Sequence, residues 1–105
     1  MNVNSFHGCG RLTRDAEYSQ TQKGVPMSKF RLAINSYRGQ QEETTFLNVL
    51  CFGKMAENLN EKLVKGRIVS VLGPLKVEEY EDQESNRRMS VSVFANEISL
   101  GPNPN

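Results

Sequence analysis

The chain has no tryptophan, a single histidine and two cysteines in 105 residues. Each shortage removes a class of chemistry. Cys9 and Cys51 are too few and too far apart for a zinc site or a disulfide framework. Each sits in a strand-like run, where a small buried hydrophobe is expected. His7 has no neighbouring Cys, Asp or Glu to complete a ligand set or a catalytic dyad. The sequence contains no Gly-rich phosphate loop of the usual spacing, no G-x-S-x-G and no metal-binding helix. No nucleophile, base or metal set can be assembled, so neither an enzyme nor a bound cofactor or metal is expected. Long apolar runs are missing too: none approaches the roughly 18 residues that span a bilayer. The opening "MNVNSFHGCG" lacks the basic start and apolar core of a secretory signal. A cytoplasmic protein with no membrane partner is expected.

Charge of either sign is not in excess overall. The net charge is +1, but it is unevenly distributed. Residues 1–40 hold six bases against Asp15 and Glu17, for +4; residues 41–80 come to −1 and residues 81–105 to −2. This asymmetry hints at a basic face without naming a partner.

The composition, 37% hydrophobic and 24% charged, is that of an ordinary globular chain long enough for one domain. "VNSFHGCGRL" reads as a weak strand whose glycines at 8 and 10 suggest a bend or close backbone approach. "TRDAEYSQTQKGVP" reads as loop and turn. "MSKFRLAINSY" alternates cleanly, with Ser28, Phe30, Leu32 and Ile34 on one side and Lys29, Arg31, Ala33, Asn35 and Tyr37 on the other. "RGQQEE" is a turn, and "TTFLNVLCFG" is the next strand. In "GKMAENLNEKLVKG" the period changes: Met55, Leu59 and Leu63 form a helical stripe, with Gly66 as a left-handed helix stop. "RIVSVLGPLKVEEY" resumes β with a break at "GP"; "EDQESNR" is a polar loop and "RMSVSVFANEISL" the last strand. The order is β-β-β-α-β-β, an all-β fold with one helix, which fits a five-stranded, partly open barrel of the OB type. Residues 1–100 form the domain, and "GPNPN", residues 101–105, is a disordered tail too short to fold.

"TTFLNVLCFG" carries large apolar groups on both faces. Leu47, Val49 and Cys51 can fill a barrel, which leaves Phe46 and Phe52 outside, roughly 20 Å apart at about 3.3 Å per residue. Beside them stand Lys29, Arg31 and Tyr37, and Tyr80 follows Lys76 on the later hairpin. Exposed aromatics mixed with bases suit unpaired nucleic acid: bases stack on Phe or Tyr, and phosphates attract Lys and Arg. Outward phenylalanines on a small barrel serve equally as oligomer contacts, and both roles can hold at once.

With these blocks in view, the chain resembles the bacterial single-stranded DNA-binding protein (SSB) family from about Asn4 to Leu100. The resemblance rests on "GRLTRDAE", "SKFRLAIN", "TFLNVLCFGKMAE", "LVKG" and "DQESNRRMSVSVFANEI". It implies an OB barrel, a homotetramer or a dimer, and single-stranded DNA as the partner in replication, repair and recombination at the nucleoid. Phe46 stands where the family often has a stacking Trp, Phe52 matches the "FGK" phenylalanine, and Tyr80 stands at a hairpin Trp. Lys54, Lys65 and Lys76 coincide with basic positions along the DNA path, and Tyr37 lies one place from a further aromatic. The chain departs from the family in lacking Trp, in carrying Glu78 and Glu79 beside the hairpin aromatic, and in Leu47 at a position commonly polar. The family's acidic tail is missing, so recruitment of proteins through that tip is not expected. The alternative is a tail-less OB interaction module of the primosomal replication protein N type.

Overall fold

A computed structural model describes residues 1–104. Asn105, the last residue of the expected tail, lies outside the described residues. The chain runs β1 (Phe6–Leu12), β2 (Glu17–Gln20), β3 (Pro26–Arg38), β4 (Gln41–Phe52), α1 (Lys54–Leu59), β5 (Ile68–Gly73), β6 (Leu75–Glu81), β7 (Arg87–Phe94) and β8 (Glu97–Leu100). It is a strand-rich fold with one short helix among the described residues, consistent with the OB fold. The strands lie in the order β6-β7-β4-β3-β1-β5-β8, with β2 paired to β3. All pairings are antiparallel except β4 with β7. The ladder does not close. Two further backbone bonds carry the β6–β7 and β5–β8 pairings into the breaks between strands: the Phe94 N–H donates to Pro74 O at 3.0 Å and the Asn96 N–H to Leu72 O at 2.8 Å.

Alternation explains the core. Leu12, Phe30, Leu32, Val49, Val69, Val71 and Val93 point inward and are buried together with Leu63. Ser28 and Cys51, paired across β3 and β4, are also buried. Burial pushes the Cys51 thiol up to about 11, partly offset by a backbone hydrogen bond with Ser28. Leu47 is half-buried and packs against the core.

Cys9, expected to be buried, is exposed, because β1 turns it to the outer side of the sheet. Four readings of the elements change as well. The stretch 13–26 is not all loop: β2 pairs with β3 from Glu17↔Lys29 to Gln20↔Pro26. Its four residues are all exposed, so no apolar alternation betrays them. The predicted turn at 38–43 shrinks, because β3 and β4 stay paired out to Arg38↔Gln41. The helix ends at Leu59, not at Gly66. Beyond it the backbone is held by β1 and its exit: the Ala16 N–H donates to Leu63 O at 2.9 Å and the Gly66 N–H to Leu12 O at 2.8 Å. Leu63 still reaches the core, where full burial is worth roughly 1.5–3 kcal/mol, so the stripe was real although the helix was short. Gly66 is left-handed as expected (φ 84°), in a turn.

The last predicted strand is two. At Ala95 and Asn96 the chain leaves one partner for another: the Ala95 N–H bonds Leu50 O on β4 and the Asn96 N–H bonds Leu72 O on β5. The break at "GP" separates β5 from β6, and the Asn4 side chain braces the new start by bonding both the N–H and the C=O of Leu75, each at 2.8 Å. The polar loop is tied by Asp82, which accepts from Arg88 Nε and from the Glu84 and Asn86 N–H groups, all at 2.9 Å. Arg88 above all holds the Asp82 carboxyl below its ordinary value. Residues 101–104 carry no regular structure, and the Gly101 carbonyl accepts from the Arg67 guanidinium at 3.0 and 3.2 Å.

Candidate functional site

Paired residues in a sheet point to the same side, so the register assembles the outer face row by row. Lys29 pairs with Leu50 and Leu50 with Phe94. Arg31 pairs with Asn48, Asn48 with Ser92 and Ser92 with Lys76. Farther along β4, Phe46 lies opposite Ala33, and in the other direction Phe52 lies opposite Met27. The site is therefore a surface across β3, β4, β7 and β6, with Lys29, Arg31, Phe46, Phe52 and Lys76 in its middle.

Its aromatics are arranged with cations. Ala33 is small, so the Arg31 guanidinium can reach diagonally over the Phe46 ring, 4.5 Å from its centroid. A guanidinium on an aromatic face is attracted by the ring quadrupole. Phe46 remains 52% exposed, enough to offer surface to a flat ligand. Phe52 meets Phe94 with ring centroids 5.5 Å apart and planes tilted by 50°. The Lys76 ammonium lies 5.8 Å from the Phe94 centroid. Both pairs sit on one side of the sheet.

Beside Arg31 is an open hollow of about 170 Å³ lined by Arg14, Asp15, Glu17, Lys29, Phe30, Arg31 and Asn48. Asp15, one of its lining residues, accepts from the Lys65 backbone N–H at 2.8 Å. Lys29, Lys65 and Lys76 form no ion pair among the described residues, which leaves their charge available to a ligand. Lys54 differs: it starts α1 and lies 3.8 Å from Glu57.

Two tyrosines stand farther out. Tyr37, 73% exposed, lies opposite Glu42 near the tip of the β3–β4 hairpin, and Tyr80 lies opposite Arg88 near the tip of the β6–β7 hairpin. Tyr37 is four pairs beyond Phe46, roughly 13 Å along the strand. Of the two hairpin acids, alternation puts only Glu78 on the side of Lys76 and Tyr80; Glu79 faces away with Val77.

Sequence reading missed Phe94, Arg14 and Asn48. Phe94 was legible: Val93 is a core residue, so its neighbour must face out. Arg14 needed the hollow, which exists only once β2 folds back on β3. Asn48 needed the β4–β7 pairing, which is non-local.

The pattern of the Single-strand binding protein family matches residues 3–100. The chain belongs to that family. It is 41% identical over 95 residues to single-stranded DNA-binding protein 1 of Staphylococcus aureus strain Mu50, covering 87% of this chain and 60% of that protein. It is 34% identical over 103 residues to the single-stranded DNA-binding protein of Borreliella burgdorferi, covering 93% of this chain and 69% of that one. The single-stranded DNA-binding protein 2 of Staphylococcus aureus strain MSSA476 is 39% identical over 95 residues. The chain thus spans less than two thirds of the length of its Staphylococcus relatives. No helix among the described residues is long and apolar enough to cross a membrane.

Proposed function

We propose that the outer face of β3, β4, β7 and β6 binds single-stranded DNA without regard to sequence. The observation that carries this reading is the pairing of outward-facing rings with cations on one side of the sheet, Arg31 on the exposed Phe46 and Lys76 on the half-buried Phe94. Duplex DNA hides its base faces, so a stacking surface selects unpaired strands, and every base has such a face. Phe46, Phe52 and Tyr80 stack bases, and Tyr37 extends the path when a strand reaches the β3–β4 tip. Lys29, Arg31, Lys54, Lys65 and Lys76 neutralise phosphates, Lys54 least because Glu57 is beside it. No bond is made or broken and no cofactor takes part. The bound strand cannot re-pair and is shielded, which is the service replication, repair and recombination need at the nucleoid, in the cytoplasm. Residues 1–100 are the binding domain.

The protein also assembles with itself, with a tetramer the expected form. Leu75, Val77, Met89 and Val91 support this: they are exposed on the hairpin side that faces away from Lys76 and Tyr80.

Phe46→Ala combined with Phe52→Ala tests the platform. The folded double variant is expected to bind labelled oligo-dT more weakly by about 2–6 kcal/mol, the loss of two stacked bases. An unchanged titration curve would remove both rings from the site.

A further inference from the structure

We propose that Phe94, Phe52 and Lys76 act as one base-and-phosphate station, in which Phe94 is the positioning residue that fixes the Phe52 ring and steers the Lys76 ammonium. This rests on the single-strand reading above and adds to it a residue from β7.

Phe94 does not belong to the core. Val93 is fully buried, and alternation turns Phe94 outward beside Leu50 of β4. Two residues along β4 on the same side is Phe52, the last residue of its strand. Its cross-strand neighbour there is Met27, a flexible side chain. Phe94 supplies the rigid neighbour: the ring centroids lie 5.5 Å apart at a tilt of 50°, within the range of attractive aromatic pairs. One part of the Phe52 ring is thereby held while 37% of the residue stays exposed.

The other side of the station is charged. Lys76 lies across β7 from Ser92, and its ammonium reaches over the Phe94 ring without an ion pair among the described residues. A base laid on Phe52 would place its phosphate toward that ammonium. Three strands each give one group: a ring to stack, a ring to hold it and a cation. Fixing a ring before binding lowers the ordering cost that association otherwise carries.

The test uses the full chain and a labelled oligo-dT at two salt concentrations, with Phe94→Leu, Phe94→Tyr, Phe52→Ala and Lys76→Gln. Phe94→Leu keeps apolar bulk but removes the ring. It is expected to weaken binding about tenfold, as Phe52→Ala does, and the two together should lose little more than either alone. Phe94→Tyr restores the ring and should bind within about twofold of the parent. Lys76→Gln, on an exposed strand that cannot unfold the barrel, should lower the salt slope by about 0.7, one phosphate contact. Phe94→Leu binding like the parent, losses that multiply with Phe52→Ala, or an unchanged slope in Lys76→Gln would each overturn the station. If the parent binds oligo-dT and Phe46→Ala weakens it while Phe94→Leu does not, the station alone falls. If the parent binds no oligo-dT, the single-strand reading falls and the station with it.

Discussion

Cys51 shows how one strand position combines a packing role with a chemical one. The residue is fully buried at the end of β4, and burial pushes its thiol up to about 11. A neutral buried thiol is a poor nucleophile. Treatment of the native protein with an alkylating reagent at pH 8 is expected to leave Cys51 unmodified, with both cysteines modified after denaturation; mass spectrometry of peptides decides it, and native labelling of Cys51 would contradict the burial. The same shift has a pH signature. The folded thiol keeps a proton that the unfolded one releases, so its contribution is full below about 9.0 and is lost as pH rises toward about 11. Arg31 makes the complementary point on the outside. Its neighbour in the next row, Ala33, is small enough to let the guanidinium lie on Phe46, so a residue of no evident chemistry shapes the surface.

At the scale of elements, the turn at Gly53 joins the barrel to the helix. Its φ of 71° and ψ of −143° lie in a region that L side chains avoid, and its N–H bonds Pro26 O at 2.9 Å. A Cβ there would meet nothing within 4 Å, so the penalty of Gly53→Ala is purely conformational. A loss of roughly 1–3 kcal/mol in urea unfolding is expected, and no loss would show that the turn relaxes freely. Elements with strong alternation were legible in the sequence. β3 and the inner end of β4 were legible, because Phe30 and Leu32 alternate with Lys29 and Arg31, and Val49 and Cys51 alternate with Asn48, Leu50 and Phe52 on the other face. β2 was not legible, since all four of its residues are exposed and only backbone pairing makes it a strand. The helix was overrun because Leu63 keeps the helical spacing while its carbonyl is bonded to Ala16. The alternation that marks the core also turns Phe46, Phe52, Lys29, Arg31 and Tyr37 outward, whereas Lys54 and Lys65 rest on the family resemblance alone. That Phe94 faces out follows from its place beside Val93, but its meeting with Phe52 and the hollow beside Arg14 depend on which strands become neighbours, and spacing along the chain does not contain that.

The whole molecule is wider than its length alone requires. Its radius of gyration is 14.8 Å, against about 13 Å for a compact chain of this size. The excess comes from the β3–β4 and β6–β7 hairpins, whose outer ends carry Tyr37 and Tyr80 on exposed backbone. The excess of positive charge in residues 1–40 takes on a meaning here, because Arg14, Lys29 and Arg31 meet around one hollow. Glu17 and Asp15 share that hollow and limit its field, so affinity should be moderate and sensitive to salt. The most direct test of the central claim is a fluorescence titration of labelled oligo-dT and of a matching duplex at two salt concentrations. The account predicts tighter binding of the single strand, with a log–log salt slope of about −3 for phosphate contacts by Lys29, Arg31, Lys65 and Lys76, Lys54 being occupied with Glu57. Equal binding of the duplex, or no binding of either form, would contradict it and leave the outer face as a surface for protein.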